Sequence, residues 1–311
     1  MIQERLNTYD KDQCWQYDIR VKNLEKDLAE CGFTREYIET LRVPDFSFVN
    51  VTDKKEQRKK IEYLSFHDSL TGLYNRRFFE EELYRLDTAR NLPLSIIMGD
   101  VNGLKLINDV FGHAFGDILL EKVAEVLNRV CRHDDIIARW GGDEFILLLP
   151  KTNLKEAEQI NERIKAEFSK EQIKAIRGSI SLGADTKYNI SENITEVLHR
   201  AEERMYSAKT LERNEFKSSV IDAIIGTLHK NSIREKDHSL YVSELCQKFG
   251  RVLQLPEVDI RKLKEAGYLH DIGKIILDPK ILNKNYQLSN QECNEMKKHA
   301  IVGYRILNLF D

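Results

Sequence analysis

The chain has 311 residues, with 48 lysines and arginines against 51 aspartates and glutamates and a formal net charge of −3. This balance gives no basic excess for nucleic acid, and no apolar run approaches the ~20 residues of a membrane span. The polar N-terminus lacks a signal-peptide pattern, and the five scattered cysteines lack the pair spacing of a metal site. We therefore expect a cytoplasmic protein with reduced thiols and about two domains.

The first 65 residues predict a regulatory or linker segment. Residues 1–43 are charged and favour helices, Phe46–Asp53 alternates apolar and polar residues like a short strand, and Lys54–Leu64 predicts a polar helix. A strand that ends in VTDK and enters such a helix resembles the end of a PAS sensor domain with its signalling helix. Because ~45 residues are too few for a complete domain of that type, an N-terminal helical dimerisation or linker segment stays open as the alternative.

The next stretch alternates predicted helices and strands. Phe66–Leu83 reads FHDSLTGLYNRRFFEEEL and predicts a helix that starts near Asn75 and continues through Arg90. Leu94–Val101 predicts a buried strand, and Ile118–Cys131 has the apolar spacing of a core helix.

The central feature is the stretch IIARWGGDEFILLLP at Ile136–Pro150. Its two apolar runs predict paired strands, and the two glycines between them allow a tight turn that a ligand can approach. Asp143 and Glu144 follow the glycines at the edge of the sheet. Because unpaired charge is costly to bury, two acids there favour the binding of a hard cation, which could hold phosphates.

Three further elements are predicted after this hairpin: a helix over Asn153–Lys170, a strand over Ile176–Thr186 and a helix over Ile194–Asn214. The pattern then becomes purely helical over Ser218–Phe310. Strands that alternate with helices up to residue 215 predict an α/β sandwich.

The hairpin stretch resembles the signature of the GGDEF family, the diguanylate cyclases. Other stretches between residues 66 and 215 also resemble family motifs in the right order, among them NGLKLINDVFGHAFGD after the first strand and AEERMYSAKTLERN in the closing helix. The resemblance implies a ferredoxin-like, palm-type nucleotide cyclase fold, an α+β sandwich, for residues 66–215. One departure is Asn102, where many members have Asp. The metal-facing acid of the family aligns with Asp100, so we expect this change to be tolerated.

The resemblance implies a site for Mg²⁺ or Mn²⁺ formed by Asp100, Asp143 and the backbone carbonyl of Val101, an all-oxygen set that suits magnesium. Glu144 would hold a second ion or help to remove the proton from an attacking 3′-hydroxyl, and the sequence leaves this division of labour open. The alternatives are a turn residue for Asp143 and a cross-strand partner for Glu144.

Asn108 and Asp117 fit the edge of a guanine base. A carboxylate accepts from the ring N–H and the exocyclic amine, and an amide both donates and accepts, so GTP should bind in preference to ATP. The alternative is that both residues cap the surrounding helices. His113 either belongs to the substrate site or packs the loop after Gly112.

Lys209 and Arg213 lie four residues apart, hence on one helix face, and align with the phosphate-binding cations of the family. The alternative is a solvated charged face beside Glu203 and Glu212. The implied reaction condenses two GTP molecules into cyclic di-GMP across a homodimer. An inactive GGDEF domain that only binds GTP or cyclic di-GMP is the competing interpretation.

Arg132 and Asp135 form an R-x-x-D pattern five residues before the glycine pair. The pattern matches the inhibitory product site of the family in type and spacing. A surface turn with an Arg–Asp pair is the alternative.

Residues 216–311 resemble the first half of the all-helical HD-GYP phosphodiesterases. The resemblance rests on His238 in KDHSLYV, His270-Asp271 in LHDIGK and His299 in KHAIVGYRIL. These residues could begin a binuclear Fe or Mn site, since His and Asp suit such ions, and Lys274 matches the phosphate-side lysine of the family.

This helical domain is expected to be incomplete. Arg234 stands where some members carry a metal-binding Glu, and the later metal histidines and the Gly-Tyr-Pro motif would lie beyond Asp311. We therefore expect no phosphodiesterase activity from this chain. Either the sequence is a fragment of a bifunctional enzyme or the gene has decayed. Truncation should also leave some apolar side chains poorly covered, such as Ile301, Ile306 and Leu309.

Overall fold

The structure is a computed structural model that describes residue 63 and residues 65–308. The strand and helices predicted before Tyr63 lie outside the described residues, as does Leu309.

A five-stranded sheet forms the centre of the first half, with the strand order β1-β3-β4-β2-β7. Only β1 and β3 pair in parallel, and the other neighbours are antiparallel. Strands β5 and β6 form a separate two-stranded ribbon. The strands are β1 Tyr74–Asn75, β2 Leu94–Val101, β3 Ile136–Gly141, β4 Glu144–Leu149, β5 Gln172–Ile173, β6 Ile176–Arg177 and β7 Ile180–Lys187.

Helices cover both faces of this sheet. Because side chains alternate along a strand, Ile97 and Leu147 pack into one apolar cluster with helices α2, α3 and α4, whereas Ile96 and Leu148 pack into another with α1 and the start of α5. The predicted α+β sandwich is confirmed. The helices are α1 Arg76–Leu86, α2 Leu104–Phe111, α3 His113–Val130, α4 Leu154–Phe168 and α5 Ile194–Asn231.

Two predicted boundaries were wrong for local reasons. Helix α1 ends at Leu86 rather than Arg90, because the side-chain amide of Asn91 donates to the carbonyl of Leu86 at 2.8 Å and the chain enters a 3₁₀ turn. The strand predicted over Ile176–Thr186 is divided, since the amide of Gly178 donates to the carbonyl of Glu171 instead of joining the sheet.

Helix α5 does not end at Asn214 as predicted but continues to Asn231. Its second part buries Val220, Ile224 and Leu228, which recur at four-residue spacing and give this stretch an apolar face of its own. One helix therefore runs from the sheet into the second half of the chain.

The second half is helical throughout its described residues, as predicted. It contains α6 Ile233–Val252, α7 Glu257–Leu269, a 3₁₀ turn at Ile272–Ile276, α8 Pro279–Leu282 and α9 Asn290–Asn308. Ile301 is exposed as expected, but Ile306 is fully buried in the cluster that also contains residues of α2, so the expectation of poor coverage was wrong there. Within residues 63–308, no helix combines the length and apolar character needed to cross a bilayer.

Candidate functional site

Three acids come together where the two central strands meet the glycine turn. Asp100 at the end of β2 is in register with Glu144 at the start of β4, which places both on the same face of the sheet. The amide of Val101 donates to the carbonyl of Asp143 at 3.0 Å. Gly142 has φ of +57°, so the turn uses the left-handed region that glycine adopts without strain.

The negative charge of this acid cluster is only partly balanced by nearby cations. Asp100 is buried, and its Oδ1 has no hydrogen bond of regular geometry, although the Lys209 ammonium forms an ion pair with it at 2.7 Å. Burial raises the pKa of Asp100; the Lys209 ammonium opposes that rise, the Asp143 charge adds to it, and the net shift is upward. Burial and the charges of Asp100 and Asp143 also raise the pKa of Glu144. A hard cation would relieve this repulsion, so the oxygen donors fit magnesium.

Two residues outside the predicted site hold the glycine turn. Arg139 donates from Nε and Nη2 to the carbonyl of Gly142 at 3.0 and 2.7 Å. Its Nη1 also donates to both carboxylate oxygens of Asp68, at 3.1 and 3.2 Å. Asp68 does accept from Thr71, as a local cap would, but it also anchors the arginine of the turn. Sequence reasoning missed Arg139, whose only local signal is its position two residues before the glycine pair.

The departure at Asn102 has a structural use. Its side-chain amide donates to the hydroxyls of Ser179 and Ser181 at 3.0 Å each, which ties the end of β2 to the chain around β7. An ionised aspartate could not donate these bonds. Asn102 thus supports the site without being one of its acids.

Asn108 on α2 carries a buried acceptor without a partner. Its Oδ1 has no hydrogen bond, and an ideal Cβ on Gly116 of α3 would lie only 2.0 Å from it. Neither α2 nor α3 has a side-chain N-cap, so the structure gives no support to the capping alternative for Asn108 and Asp117. Asp117 and His113 lie on α3 with exposed side chains.

The two cations of α5 differ in their surroundings. Lys209 pairs with Asp100, whereas Arg213 is exposed and forms no ion pair within the described part of the chain. Glu212 turns away to Lys165 and Ser181, and Glu203 pairs with a histidine. Neither Glu203 nor Glu212 forms an ion pair with Lys209 among the described residues, whereas the exposed Arg213 is also compatible with a solvated charged face.

Arg132 and Asp135 close a turn before β3. The carboxylate of Asp135 accepts from the amide of Arg132 at 2.7 Å and is buried, whereas the Arg132 side chain is exposed. Burial raises the pKa of Asp135, while the Arg132 amide opposes the rise. The surface turn is therefore present, but with a carboxylate–amide bond in place of the side-chain ion pair that the alternative assumed.

A second cluster lies in the helical half. His238 Nε2 lies 3.2 Å from His270 Nε2, His270 Nε2 lies 3.1 Å from Asp271 Oδ2, and His299 Nε2 lies 3.3 Å from Asp271 Oδ1. The Nδ1 of His270 lies 2.8 Å from the carbonyl of Gly267. Because a carbonyl only accepts, this nitrogen carries a proton, and Nε2 is the nitrogen that faces His238 and Asp271, where a metal could be held. Four side chains predicted from separate motifs are thus brought together.

A buried lysine occupies the acid side of this cluster. Lys274 Nζ lies 2.8 Å from Asp271 Oδ2 and 2.7 Å from Glu235 Oε2. Burial would raise the pKa of Asp271, but the Lys274 ammonium and the imidazoles of His270 and His299 outweigh it, and the net shift is downward. Sequence reasoning considered Arg234 and missed its buried neighbour Glu235. Arg234 itself donates to the carbonyl of Leu282.

Two family models match separate regions of the chain. The family model described as "Diguanylate cyclase, GGDEF domain" matches residues 65–215, and the one described as "HD domain" matches residues 236–310.

Several curated proteins are similar to the first of these regions. Diguanylate cyclase DgcM of Escherichia coli (strain K12) is 34% identical over 171 residues, which cover 53% of this chain and 41% of that protein. Diguanylate cyclase VdcA of Vibrio cholerae is 34% identical over 172 residues, or 53% and 50% of the two chains. The chain thus spans half or less of the length of these relatives. A solved structure of the coiled coil and GGDEF domain of DgcB from Caulobacter crescentus in complex with c-di-GMP is 26% identical, with a TM-score of 0.48 over 53% of this chain and 91% of that one.

Proposed function

Since residues 65–215 are a GGDEF domain and residues 236–310 are an HD domain, we propose that this chain is a diguanylate cyclase. It would condense two GTP molecules into cyclic di-GMP, with release of two pyrophosphates. The observation that carries the proposal is the buried carboxylate of Asp100, which lies beside two further acids with the partly exposed Lys209 ammonium as its ion-pair partner. A structural cluster would not leave these groups with unmet charge.

The acids are the proposed metal ligands. Asp100, Asp143 and the carbonyl of Val101 would hold Mg²⁺ or Mn²⁺, and Glu144 would hold a second ion or accept the proton of the attacking 3′-hydroxyl. When bound, such ions polarise the α-phosphate and assist the attacking oxygen. Arg139 and Asp68 keep the turn rigid, which orients Asp143 before substrate arrives.

The proposed guanine side is formed by α2 and α3. The side-chain amide of Asn108 would accept from the exocyclic amine of guanine after its unsatisfied Oδ1 rotates away from Gly116, and the exposed carboxylate of Asp117 would accept from the ring N–H. His113 is assigned to the same side with a contact role. Adenine has no matching pair of donors, which gives the preference for GTP.

The proposed phosphate contacts come from α5. Lys209 would leave Asp100 when metal and triphosphate bind, because the metal then neutralises the acid and the phosphates offer the ammonium a new partner. Arg213 is already exposed. Each chain would hold one GTP, so catalysis would need a homodimer, and the specific rate should rise with protein concentration.

Incubation of the full chain with GTP and magnesium, followed by chromatography of the products, tests the proposal. We expect cyclic di-GMP from the natural chain and about a 10²- to 10³-fold lower rate from Glu144→Gln, the loss typical of removing one charge-stabilising group. Glu203→Gln, an exposed acid on α5, is the matched control and should keep the rate. GTP binding without any product would instead favour the binding-module interpretation.

The His/Asp cluster supports a second, separate role for the HD domain. His238, His270, Asp271 and His299 offer three imidazoles and a carboxylate, a set that suits Fe or Mn rather than magnesium. We propose transition-metal binding there without phosphodiesterase activity. Incubation with cyclic di-GMP and manganese should leave the dinucleotide intact, and linear pGpG or GMP as product would contradict this.

A further inference from the structure

The helix that carries Asn108 is held at both ends by residues outside the region matched by the GGDEF family. At its N-terminal end, the ring of Phe216 lies against Gly103, where an ideal Cβ would come within 2.7 Å of the ring carbon Cζ. At its C-terminal end, Nη1 of Arg305 donates to the carbonyl of Asp109 at 2.9 Å. Phe216 follows the matched region directly, and Arg305 belongs to α9 in the HD domain.

The Arg305 bond suits the end of a helix. The last four carbonyls of an α-helix have no partner within it, and a cation beside them interacts favourably with the helix dipole. Helix α2 has only 8 residues, which is too short to be stable without tertiary contacts. Contacts from outside α2 therefore determine where Asn108 lies.

Apolar packing strengthens the same contact. Val302 and Ile306 of α9 are buried in one cluster with Leu106, Ile107 and Val110 of α2. This packing explains why Ile306 is buried, although the incomplete HD domain was expected to leave it exposed.

The middle of α9 is fixed to the His/Asp cluster. His299 lies there beside Asp271. An ideal Cβ on Gly273 would lie 1.9 Å from the carbonyl of His299, so the 3₁₀ turn after Asp271 packs directly on the α9 backbone. Helix α9 is thus anchored in the HD domain and contacts α2 within two turns of that anchor.

We propose that the HD domain forms part of the substrate side of the cyclase, with Arg305 as a positioning residue that holds α2 so that Asn108 faces the guanine base. The inference rests on the proposed function, since it concerns the affinity of that site for GTP. It makes the helical half a determinant of substrate binding rather than an independent appendage.

The test compares Arg305→Ala with Arg305→Lys in the full chain. Loss of a dipole-facing cation should raise KM and the dissociation constant for GTP about two- to fivefold, with kcat within about twofold. Arg305→Lys should restore most of the affinity, because a lysine keeps the charge near the carbonyls. Lys298→Ala is the matched control, since Lys298 is exposed on α9 and forms no ion pair among the residues described.

Hydrogen exchange separates this inference from the proposed function. Amides of residues 104–111 should exchange faster in Arg305→Ala than in the natural chain or in Lys298→Ala, whether or not any cyclic di-GMP is formed. Unchanged exchange in α2 would overturn the proposal, as would unchanged GTP affinity in an active enzyme. A natural chain without cyclase activity but with faster exchange in Arg305→Ala would sink the proposed function and leave the α2 contact standing.

Discussion

The two halves of the chain each place a lysine ammonium beside a nearly buried aspartate, but with different donor sets. In the GGDEF domain, Asp100 pairs with Lys209 among further carboxylates. In the HD domain, Asp271 pairs with Lys274 among imidazoles. Oxygen donors suit magnesium and imidazoles suit transition metals. The two proposed metal sites therefore share the same charge pair and differ in their donor atoms.

The two lysines also differ in their freedom to move. The Lys209 side chain is 41% exposed and has one carboxylate partner. The Lys274 side chain is 14% exposed and lies between Asp271 and Glu235. Lys209 can exchange Asp100 for a phosphate once a metal neutralises the acid, whereas removal of Lys274 would take the ammonium from two buried carboxylates and leave Asp271 with imidazoles and Glu235 with Arg234 at 3.6 Å. We infer that Lys209 is a ligand-exchange group and that Lys274 is mainly structural.

The largest expected effect comes from Asp100→Asn. We expect cyclic di-GMP formation to fall about 10²- to 10³-fold, as for loss of a charge-stabilising group, and transition-metal binding by the HD domain to remain. Because the folded-state pKa of Asp100 is raised, its charged form is destabilising above that pKa and becomes less so as the pH falls. The neutral variant should therefore keep or raise the melting temperature at pH 7. A lower melting temperature, or retained cyclase activity, would contradict this account.

Lys274→Met should destabilise the folded HD domain rather than remove cyclase activity. Removing one partner of a buried ion pair typically costs about 3–5 kcal/mol, because the remaining charge has no compensation. We expect a fall of that order in the free energy of unfolding, measured by urea denaturation. Lys209→Met is the matched comparison: it should lower cyclase activity and cost less stability than Lys274→Met, because it takes the ammonium from one buried carboxylate rather than from two. Equal effects of both variants on unfolding would refute the distinction between the two lysines.

His270→Ala should separate the two metal preferences. It removes a direct ligand, so manganese or iron affinity should fall by more than the about 10-fold that loss of an outer-shell partner costs. The rate of cyclic di-GMP formation in magnesium should stay within about twofold. His199→Ala, an exposed histidine on α5, serves as control for metal content measured after dialysis. A loss of cyclase activity in His270→Ala alone would show that the two sites are not independent.

The features that could be predicted from the sequence are those encoded by short local patterns. Strands β2 and β4 carry continuous apolar runs, and Asp143 and Glu144 directly follow the glycine pair, whereas Asp100 was assigned to the same site through the family resemblance. The HD histidines were found for the same reason, through short motifs.

The features that could not be predicted depend on contacts between residues far apart in the sequence. The bond from Arg305 to Asp109 joins residues 196 positions apart, and that from Arg139 to Asp68 joins residues 71 apart. Glu235 is hidden in a charged stretch that gives no sign of burial. The burial of Ile306 depends on how two domains pack, which no periodicity in α9 encodes.

The smallest expected effect concerns Arg132 and Asp135, which we propose as the inhibitory product site and which lie outside the comparison of the two clusters. The Asp135 carboxylate already accepts a hydrogen bond from the amide of Arg132. The exposed guanidinium of Arg132 is therefore the group that would bind a guanine of cyclic di-GMP. A charge-assisted bidentate bond of about 1.5–3 kcal/mol predicts at least about a tenfold weaker product inhibition in Arg132→Ala. The basal rate should be kept, because among the described residues no hydrogen bond or ion pair joins Arg132 to Asp143 or Glu144. His133→Ala, an exposed neighbour in the same turn, should keep the inhibition. Since Asp135 closes the turn through the backbone, removal of the Arg132 side chain leaves that bond intact, and unchanged inhibition would then mean that the turn is structural only.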